Sequence, residues 1–400
     1  MALYNHKAVR IIVLAILSLM AAVSLYRGVT NALHFSQDFQ WDAAKALTMG
    51  IDPYTESLSP TGALSQGELK DYYAYYEGID APQKMEANQF PSLLMLLYPY
   101  TLLAPSAARL AWLVTNLLCT LGIVILLRFT FLKDCDRFLF AALCLLMVAG
   151  TPYRNQLGVG QHTLFSVSFF LLAVYLSDQK YGKIPAALSL FVSFFKYTLT
   201  APLSLYFLYK KKWIEWITSV LLHVLLTGCA AVLLKKSFLN MILSPLKVSS
   251  ALLSEGGLDF GALFHGSAVS LVLAFLVGIL LFVLSLKAKE GCDARLLTIL
   301  LLWSLIMLYH RTYDFFVLIM AASYFTEDRK TGQVTTAGNI MTGAYILVLY
   351  TVFFLLRQFH ESAPAMIFTG ILYYLFTIAM TVIFCKNCIG KKNHELLGKA

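Results

Sequence analysis

The sequence predicts an all-α polytopic membrane protein, a single integral-membrane domain over residues 1–400 with about twelve crossings and a long first outer loop. Three observations predict it. Apolar and aromatic residues make up 59% of the chain and charged residues 13%, where a soluble domain has roughly 45–50% and about 25%. The apolar residues fall in runs close to the ~20 that a bilayer crossing needs. Clusters of Lys and Arg sit in the short connections between runs, so the net charge of +9 reads as topology. A soluble dinucleotide enzyme, a disordered scaffold, a repeat solenoid and a secreted disulfide domain are excluded on these grounds. A nucleic-acid partner is not expected, because the basic residues are dispersed among apolar runs.

The first run, 10–27, follows Lys7 and Arg10 and lacks a small-residue cleavage site, so it reads as an uncleaved anchor with its N-terminus in the cytoplasm. Residues 31–90 then form the outer loop. Phe90 to Pro99 is bounded by prolines and too short to cross, which suits an interfacial or re-entrant segment. Further runs lie near 107–131, 138–151, 162–177, 184–196, 199–209, 213–234, 268–287, 296–309, 315–325, 336–356 and 365–385. With the first, they make twelve. The connections placed inside hold Lys133/Arg137, Lys180/Lys183, Lys210-Lys211-Lys212, Lys287/Lys289/Arg295 and Arg329/Lys330. The tail 386–400 adds Lys386, Lys391, Lys392 and Lys399, so both termini are expected in the cytoplasm of a cytoplasmic (inner) membrane protein. The seven cysteines avoid the outer loops and make no disulfide framework, and Cys385-x-x-Cys388 reads as ordinary cytoplasmic thiols.

Two excursions from the inner side are too short. Lys183 and Lys210 bracket 26 residues, and Arg295 and Glu327 bracket 31, where two full spans take roughly 40. Their tips should turn below the outer surface, and the tips carry Lys196 and His310-Arg311-Thr312-Tyr313-Asp314. An ionisable group at membrane depth costs at least ~2.5 kcal/mol, which makes it a functional candidate unless a partner explains it. The competing explanation is structural: Lys196 reaching for the interface, and Arg311 pairing with Asp314 to stitch helices.

The outer loop is acidic and rich in aromatics, including Trp41, Tyr54, Tyr72, Tyr73, Tyr75 and Tyr76, which argues for structure. Ser36 to Leu47 looks like the start of an interfacial helix with Ser36 or Asp38 as its N-cap, and Gly50 to Tyr54 ends it in an Asp-Pro turn. For Asp38 the cap is the plainer local explanation and catalysis the sharper one. Thr151 to His162 is a further outer element, supplying Arg154 as a cation, Gln161 as a two-sided amide, and Gly158 and Gly160 for close backbone approach. It is no dinucleotide fingerprint, since no strand precedes it and the third glycine is missing. A carboxylate facing cations suits transfer of a group from an anionic leaving group, the carboxylate taking a proton and the cations stabilising a departing phosphate. On the outer face a cytosolic nucleotide donor cannot reach such a site, whereas a lipid-linked phosphate donor can. No metal-ligand set is recognisable, and no cofactor is expected.

Asp38-Phe39-Gln40-Trp41-Asp42-Ala43-Ala44 with Gly50-Ile51-Asp52-Pro53-Tyr54, then Phe90-Pro91, Gly160-Gln161, Lys196 ahead of a Lys-rich loop and Trp213, and His310-Arg311-x-Tyr313-Asp314 resembles the pattern of glycosyltransferase family 87 over roughly residues 1–330. The resemblance implies a bundle of the GT-C superfamily, which includes polyprenyl-phosphate-mannose-dependent mannosyltransferases. It implies an inverting transfer of a hexose, mannose first among candidates, from a polyprenyl phosphate to a hydroxyl of a lipid or glycan acceptor. Asp38 takes the general base's place, and Lys196, His310, Arg311 and Gln161 are candidates for the donor phosphate. The chain departs from the family where paired aromatics often follow Asp-Phe, so Asp42 is a rival base, and at His162, where a polar amide is usual. Arg154, Asp42 and His162 complete the candidate substrate-binding set. The rival class is a transporter or flippase of a lipid-linked saccharide, which predicts inverted repeats that the two halves do not display convincingly.

Overall fold

The computed structural model describes residues 7–59, 69–70, 85–252, 258–264, 266–324 and 363–389, all of them in helices and their connections. Parts of several expectations lie outside these residues: the loop aromatics Tyr72, Tyr73, Tyr75 and Tyr76, the run 336–356, Arg329 and Lys330, and the tail lysines beyond Lys386. The main helices are α1 (Lys7–His34), α2 (Trp41–Thr48), α3 (Pro105–Phe129), α4 (Arg137–Ala149), α5 (Thr151–Val159), α6 (Thr163–Ser177), α7 (Lys183–Ser193), α8 (Tyr197–Tyr209), α9 (Trp213–Leu233), α10 (Phe238–Leu252), α11 (Ala268–Lys287), α12 (Asp293–Met307) and α13 (Ala363–Cys388). A 3-10 rod, Thr312–Ala322, follows α12.

Their sequences explain their positions. On α3, Leu110, Val114, Leu118, Leu121 and Ile125 recur at helical spacing and are exposed, while Trp112, Cys119, Ile123 and Leu127 face the bundle. An exposed apolar stripe of that length suits contact with lipid and not with water. By contrast, α12 is apolar all round and buried at every position from Ala294 to Met307, which makes it the central helix. Its 15 residues reach only about 22 Å at 1.5 Å per residue, short of the ~30 Å hydrocarbon core.

One end of the bundle gathers the basic connections. Lys210 pairs with Asp293 at 2.7 Å, Lys212 with Asp178 at 3.4 Å, and the Arg10 guanidinium lies 5.1 Å from the Phe138 ring. The Lys289 amide donates to Cys388, closing the same end. Six helices are long and apolar enough to cross a membrane, or seven if α4 and α5, bent by 53°, are one span. That count is by length and composition, takes Lys183–Tyr209 as one helix, and does not reach the expected twelve crossings among the described residues. The stretch Lys183–Tyr209 has the length of a span, yet Lys212, just past its end, bonds Ser177 and Asp178, just before its start. Helices α7 and α8 therefore form a hairpin that enters and leaves at the basic end, turning at the 3-10 break Phe194–Lys196. The α12 hairpin does the same, since Arg295 lies 5.7 Å from the Tyr324 ring beyond the rod. Both short excursions return to the end they left, as their lengths require.

Two local expectations are corrected. Ser36 and Asp38 do not cap α2: residue Gln40 occupies the cap with φ of 61° and no side-chain bond, and Ser36 Oγ donates back to Ala32. The cysteines are not all free thiols either, because Cys292 and Cys388 are joined in a disulfide that ties α12 to α13. Their separation of 96 residues hid the pairing from spacing arguments. The Asp-Pro turn does form, with Asp52 accepting from the Tyr54 and Thr55 amides to start a short helix.

Candidate active site

The segment between α1 and α2 is held against the bundle by apolar and hydrogen-bonded contacts on both sides of Asp38. Phe39 stacks on Trp112 of α3 at 4.9 Å, and His162 Nε2 lies 3.0 Å from the Phe39 carbonyl. The other His162 ring nitrogen, Nδ1, lies 3.1 Å from Gln161 Oε1, so the imidazole bridges the Phe39 backbone and the Gln161 side chain. Trp112 also donates to the Gly160 carbonyl at 2.7 Å. Gly160 has φ of +69°, and a Cβ there would stand 3.1 Å from Ser36 Cα, so only glycine allows the two strands of chain to meet this closely. Fully burying a ring such as Phe39 is worth roughly 1.5–3 kcal/mol, enough to override the weak local preference for a capped helix start.

Asp38 is left partly buried, and Gln161 Nε2 at 3.3 Å and Tyr313 OH at 3.1 Å both donate to its Oδ2. Gln161 Nε2 also donates to Tyr313 OH at 3.0 Å, closing a three-membered ring of contacts. The amide is held the right way round, since Gln161 Oε1 accepts from the His162 backbone at 2.9 Å. Burial pushes the Asp38 carboxyl above its ordinary range, while Arg311, Lys196 and the Tyr313 bond pull it down and Asp314 adds to the rise.

The two hairpin tips meet here. Lys196, nearly buried, pairs with Asp314 at 3.3 Å, and its ammonium lies 5.9 Å from the Tyr313 ring. Thr163 donates to the other Asp314 oxygen, and the Lys196 amide donates to Ser166 at 2.8 Å. Asp314 is therefore Lys196's partner, not the stitch to Arg311 weighed from the sequence. Arg311 Nε donates to Tyr309 OH at 2.6 Å, and its guanidinium is near enough to act on Asp38. His310 is buried with both ring nitrogens engaged: Nδ1 donates to the Leu308 carbonyl at 3.0 Å, and Thr198 donates to Nε2 at 3.1 Å.

The sequence-derived candidates thus separate by position. Asp38, Gln161, Lys196 and Arg311 converge; His310 lies beside them with its ring satisfied; His162 sits behind Phe39. Asp42 is buried in the first turn of α2, and Arg154 lies on α5, whose carbonyl at that residue approaches Gly28 of α1. Tyr313, Asp314 and Thr163 were not among the chosen site residues, although Tyr313 and Asp314 stood inside the quoted tip motif. Among the described residues no three His, Cys, Asp or Glu side chains gather as a metal site would need.

Beside the tip runs an apolar groove of about 320 Å3 lined by Phe90, Leu93, Tyr197, Trp216, Val224 and Phe238. Phe194 and Tyr197, on either side of the turn that carries Lys196, both line it. Its far wall is pinned where His223 Nε2 donates to the Phe191 carbonyl at 3.0 Å and Ser92 donates to Nδ1 at 2.9 Å.

The profile of glycosyltransferase family 87 matches residues 91–312, more than half of the chain. The match takes in Gln161, Lys196, His310 and Arg311 and begins beyond Asp38. No curated protein and no solved structure matches the chain.

Proposed function

This chain belongs to glycosyltransferase family 87, a membrane glycosyltransferase family, and from that premise we propose that it moves a hexose, mannose first among candidates, from a polyprenyl phosphate to a hydroxyl acceptor on a lipid or glycan. The observation that carries the reading is the meeting of one carboxylate, Asp38, with Lys196 and Arg311 brought up on two separate hairpin tips.

The chemistry follows from that arrangement. Asp38 takes the proton of the acceptor hydroxyl as its oxygen attacks the anomeric carbon. The bond from that carbon to the phosphate oxygen breaks, and the electron pair leaves with the polyprenyl phosphate. Attack from the face opposite the leaving group inverts the anomeric centre. Arg311, with its planar fork, suits the departing phosphate, and Lys196 acts on Asp38 more strongly than its partner Asp314 does, so the pair still adds positive potential there. A general base is typically worth ~10²–10⁴ in rate, and charge stabilisation at the leaving group is often as large. The groove beside Tyr197 suits a hydrocarbon tail, which supports a lipid-linked substrate over a free nucleotide sugar.

The basic end faces the cytoplasm on the positive-inside rule, which puts Asp38 at the outer face of a cytoplasmic membrane and both termini inside. Incubating the purified protein with polyprenyl phosphates carrying radiolabelled mannose, glucose or galactose, together with membrane lipid extract, tests the reading. Label moving to a new lipid or glycan is the expected result. Intact lipid-linked sugar appearing across a proteoliposome membrane with no new glycosidic bond would favour the transporter instead.

A further inference from the structure

The contacts on Asp38 are lopsided. Both protein donors, Gln161 Nε2 and Tyr313 OH, fall on Oδ2, and among the described residues neither of them reaches Oδ1. The donors arrive from different elements, Gln161 from the connection just ahead of α6 and Tyr313 from the rod after α12, so the convergence is a tertiary arrangement and not a local turn. Each donor is fixed in turn. The Gln161 carbonyl is held by Gln156 at 2.8 Å and its side-chain oxygen by the His162 amide, while Tyr313 is buried and lies against Lys196. His162, bonded to the carbonyl of the very next residue, Phe39, stops the Asp38 backbone from turning.

Resting on the proposed glycosyl transfer, we infer that Gln161 and Tyr313 are positioning residues that clamp Asp38 Oδ2, so that Oδ1 alone is presented to the acceptor hydroxyl. This moves Gln161 from the donor phosphate, where the family resemblance put it, to the base. A carboxylate that must take one proton from one direction works best with its other oxygen tied down, because free rotation would present either oxygen, in many orientations, to the nucleophile. The same two donors hold the carboxylate in its charged form, as donation to an anion favours ionisation. The groups facing Asp38 are Lys196 from the first tip, Arg311 and Tyr313 from the second, Asp314 on the rod and Gln161 with His162 ahead of α6. Removing either donor takes away its own bond to Oδ2 together with the Gln161–Tyr313 bond, and the lost donation to the carboxylate has a known sign.

The test follows the carboxyl itself and so does not depend on turnover. In the full-length protein in detergent, the Asp38 carboxyl band is identified in infrared difference spectra as the one lost in Asp38→Asn, and its midpoint is read against pH. Hydrogen bonds to charged groups are worth about 1.5–3 kcal/mol, so Tyr313→Phe should raise the midpoint by roughly one pH unit or more. Gln161→Leu should raise it too, and the double variant further than either. Transfer from polyprenyl phosphate mannose to membrane lipid extract should show the same displacement of its acid limb in Tyr313→Phe, with activity recovering toward the parent as pH rises and the KM for donor unchanged. A purely structural role lowers activity at every pH and leaves the midpoint alone, and an unmoved midpoint in both single variants overturns the clamp. The base reading fails separately, by Asp38→Asn retaining transfer, whatever the spectra show.

Discussion

Helix α8 carries an ion pair at each of its ends, and both pairs reach to the hairpin built on α12. At the tip Lys196 meets Asp314 at 3.3 Å with side-chain exposures of 9% and 0%; at the basic end Lys210 meets Asp293 at 2.7 Å with 31% and 29%. The shorter pair is the weaker one in energetic consequence. Half-wet, with Tyr206 and Tyr209 also donating to Asp293, it trades protein contacts for water contacts of similar quality, and such pairs contribute about 0–1 kcal/mol. The buried pair has lost nearly all of its water, so its attraction only offsets a desolvation cost that an apolar pair would never incur. A charge buried on those terms fits the proposed role of Lys196 beside Asp38, on whose carboxyl it acts.

Breaking the buried pair should have the largest effect. Lys196→Met leaves Asp314 charged, buried and without its cation, and should lower stability by about 3–5 kcal/mol in detergent unfolding. Lys196→Met combined with Asp314→Leu should recover most of that stability while transfer stays lost, which separates the fold's needs from the site's. A Lys196→Met protein as stable as its parent would erase the contrast between the two pairs.

Arg311→Lys sharpens the contrast from the side of function. The point charge of lysine cannot reproduce a planar fork, so kcat/KM for transfer should fall roughly 10- to 100-fold, or about 1.4–2.8 kcal/mol, with stability near that of the parent. An activity within twofold of the parent would show that the fork contributes nothing to the reaction.

The third effect is set by pH. Burial lifts the Asp38 carboxyl, so its protonated form persists to a higher pH than an ordinary carboxylate's. A base is active only when deprotonated, so transfer should fall about tenfold for each unit of pH below the raised value and be regained above it. An acid limb at or below the ordinary carboxylate range would contradict the burial argument. The smallest effect belongs to the outer pair: Lys210→Met should change stability by less than about 1 kcal/mol and leave transfer untouched.

The fold-back of these two segments was legible in the sequence because it is arithmetic, a chain of 26 or 31 residues being unable to cross twice. The proximity of Lys196 to Arg311 followed from it. The partner of Lys196 was not legible, because Asp314 turns across to the other hairpin while Arg311 precedes the rod in extended backbone with ψ of 164°. Spacing along one segment cannot report that divergence. The supposed cap failed for a similar reason. Ser36 and Gln40 take left-handed backbone, with φ of 38° and 61°, because Phe39 is drawn onto Trp112 and its carbonyl onto His162. Local capping preferences, worth about 1 kcal/mol, lose to those tertiary contacts. Gln161 was expected beside the donor phosphate and lies against Asp38 instead, because a two-sided amide looks the same in sequence whether it meets a phosphate or a carboxylate.

Asp38→Asn measures the proposed chemistry most directly. The amide keeps the size of the carboxyl and an oxygen for Gln161 and Tyr313 to donate to, but it cannot take a proton from the acceptor hydroxyl. Transfer from polyprenyl phosphate mannose to membrane lipid extract should fall by ~10²–10⁴, about 3–5 kcal/mol of barrier, with donor binding and melting temperature held near the parent's. Asp42→Asn, the matched control, should keep its activity. Transfer within a few-fold of the parent in Asp38→Asn would contradict the mechanism, and its loss in Asp42→Asn instead would move the base to α2.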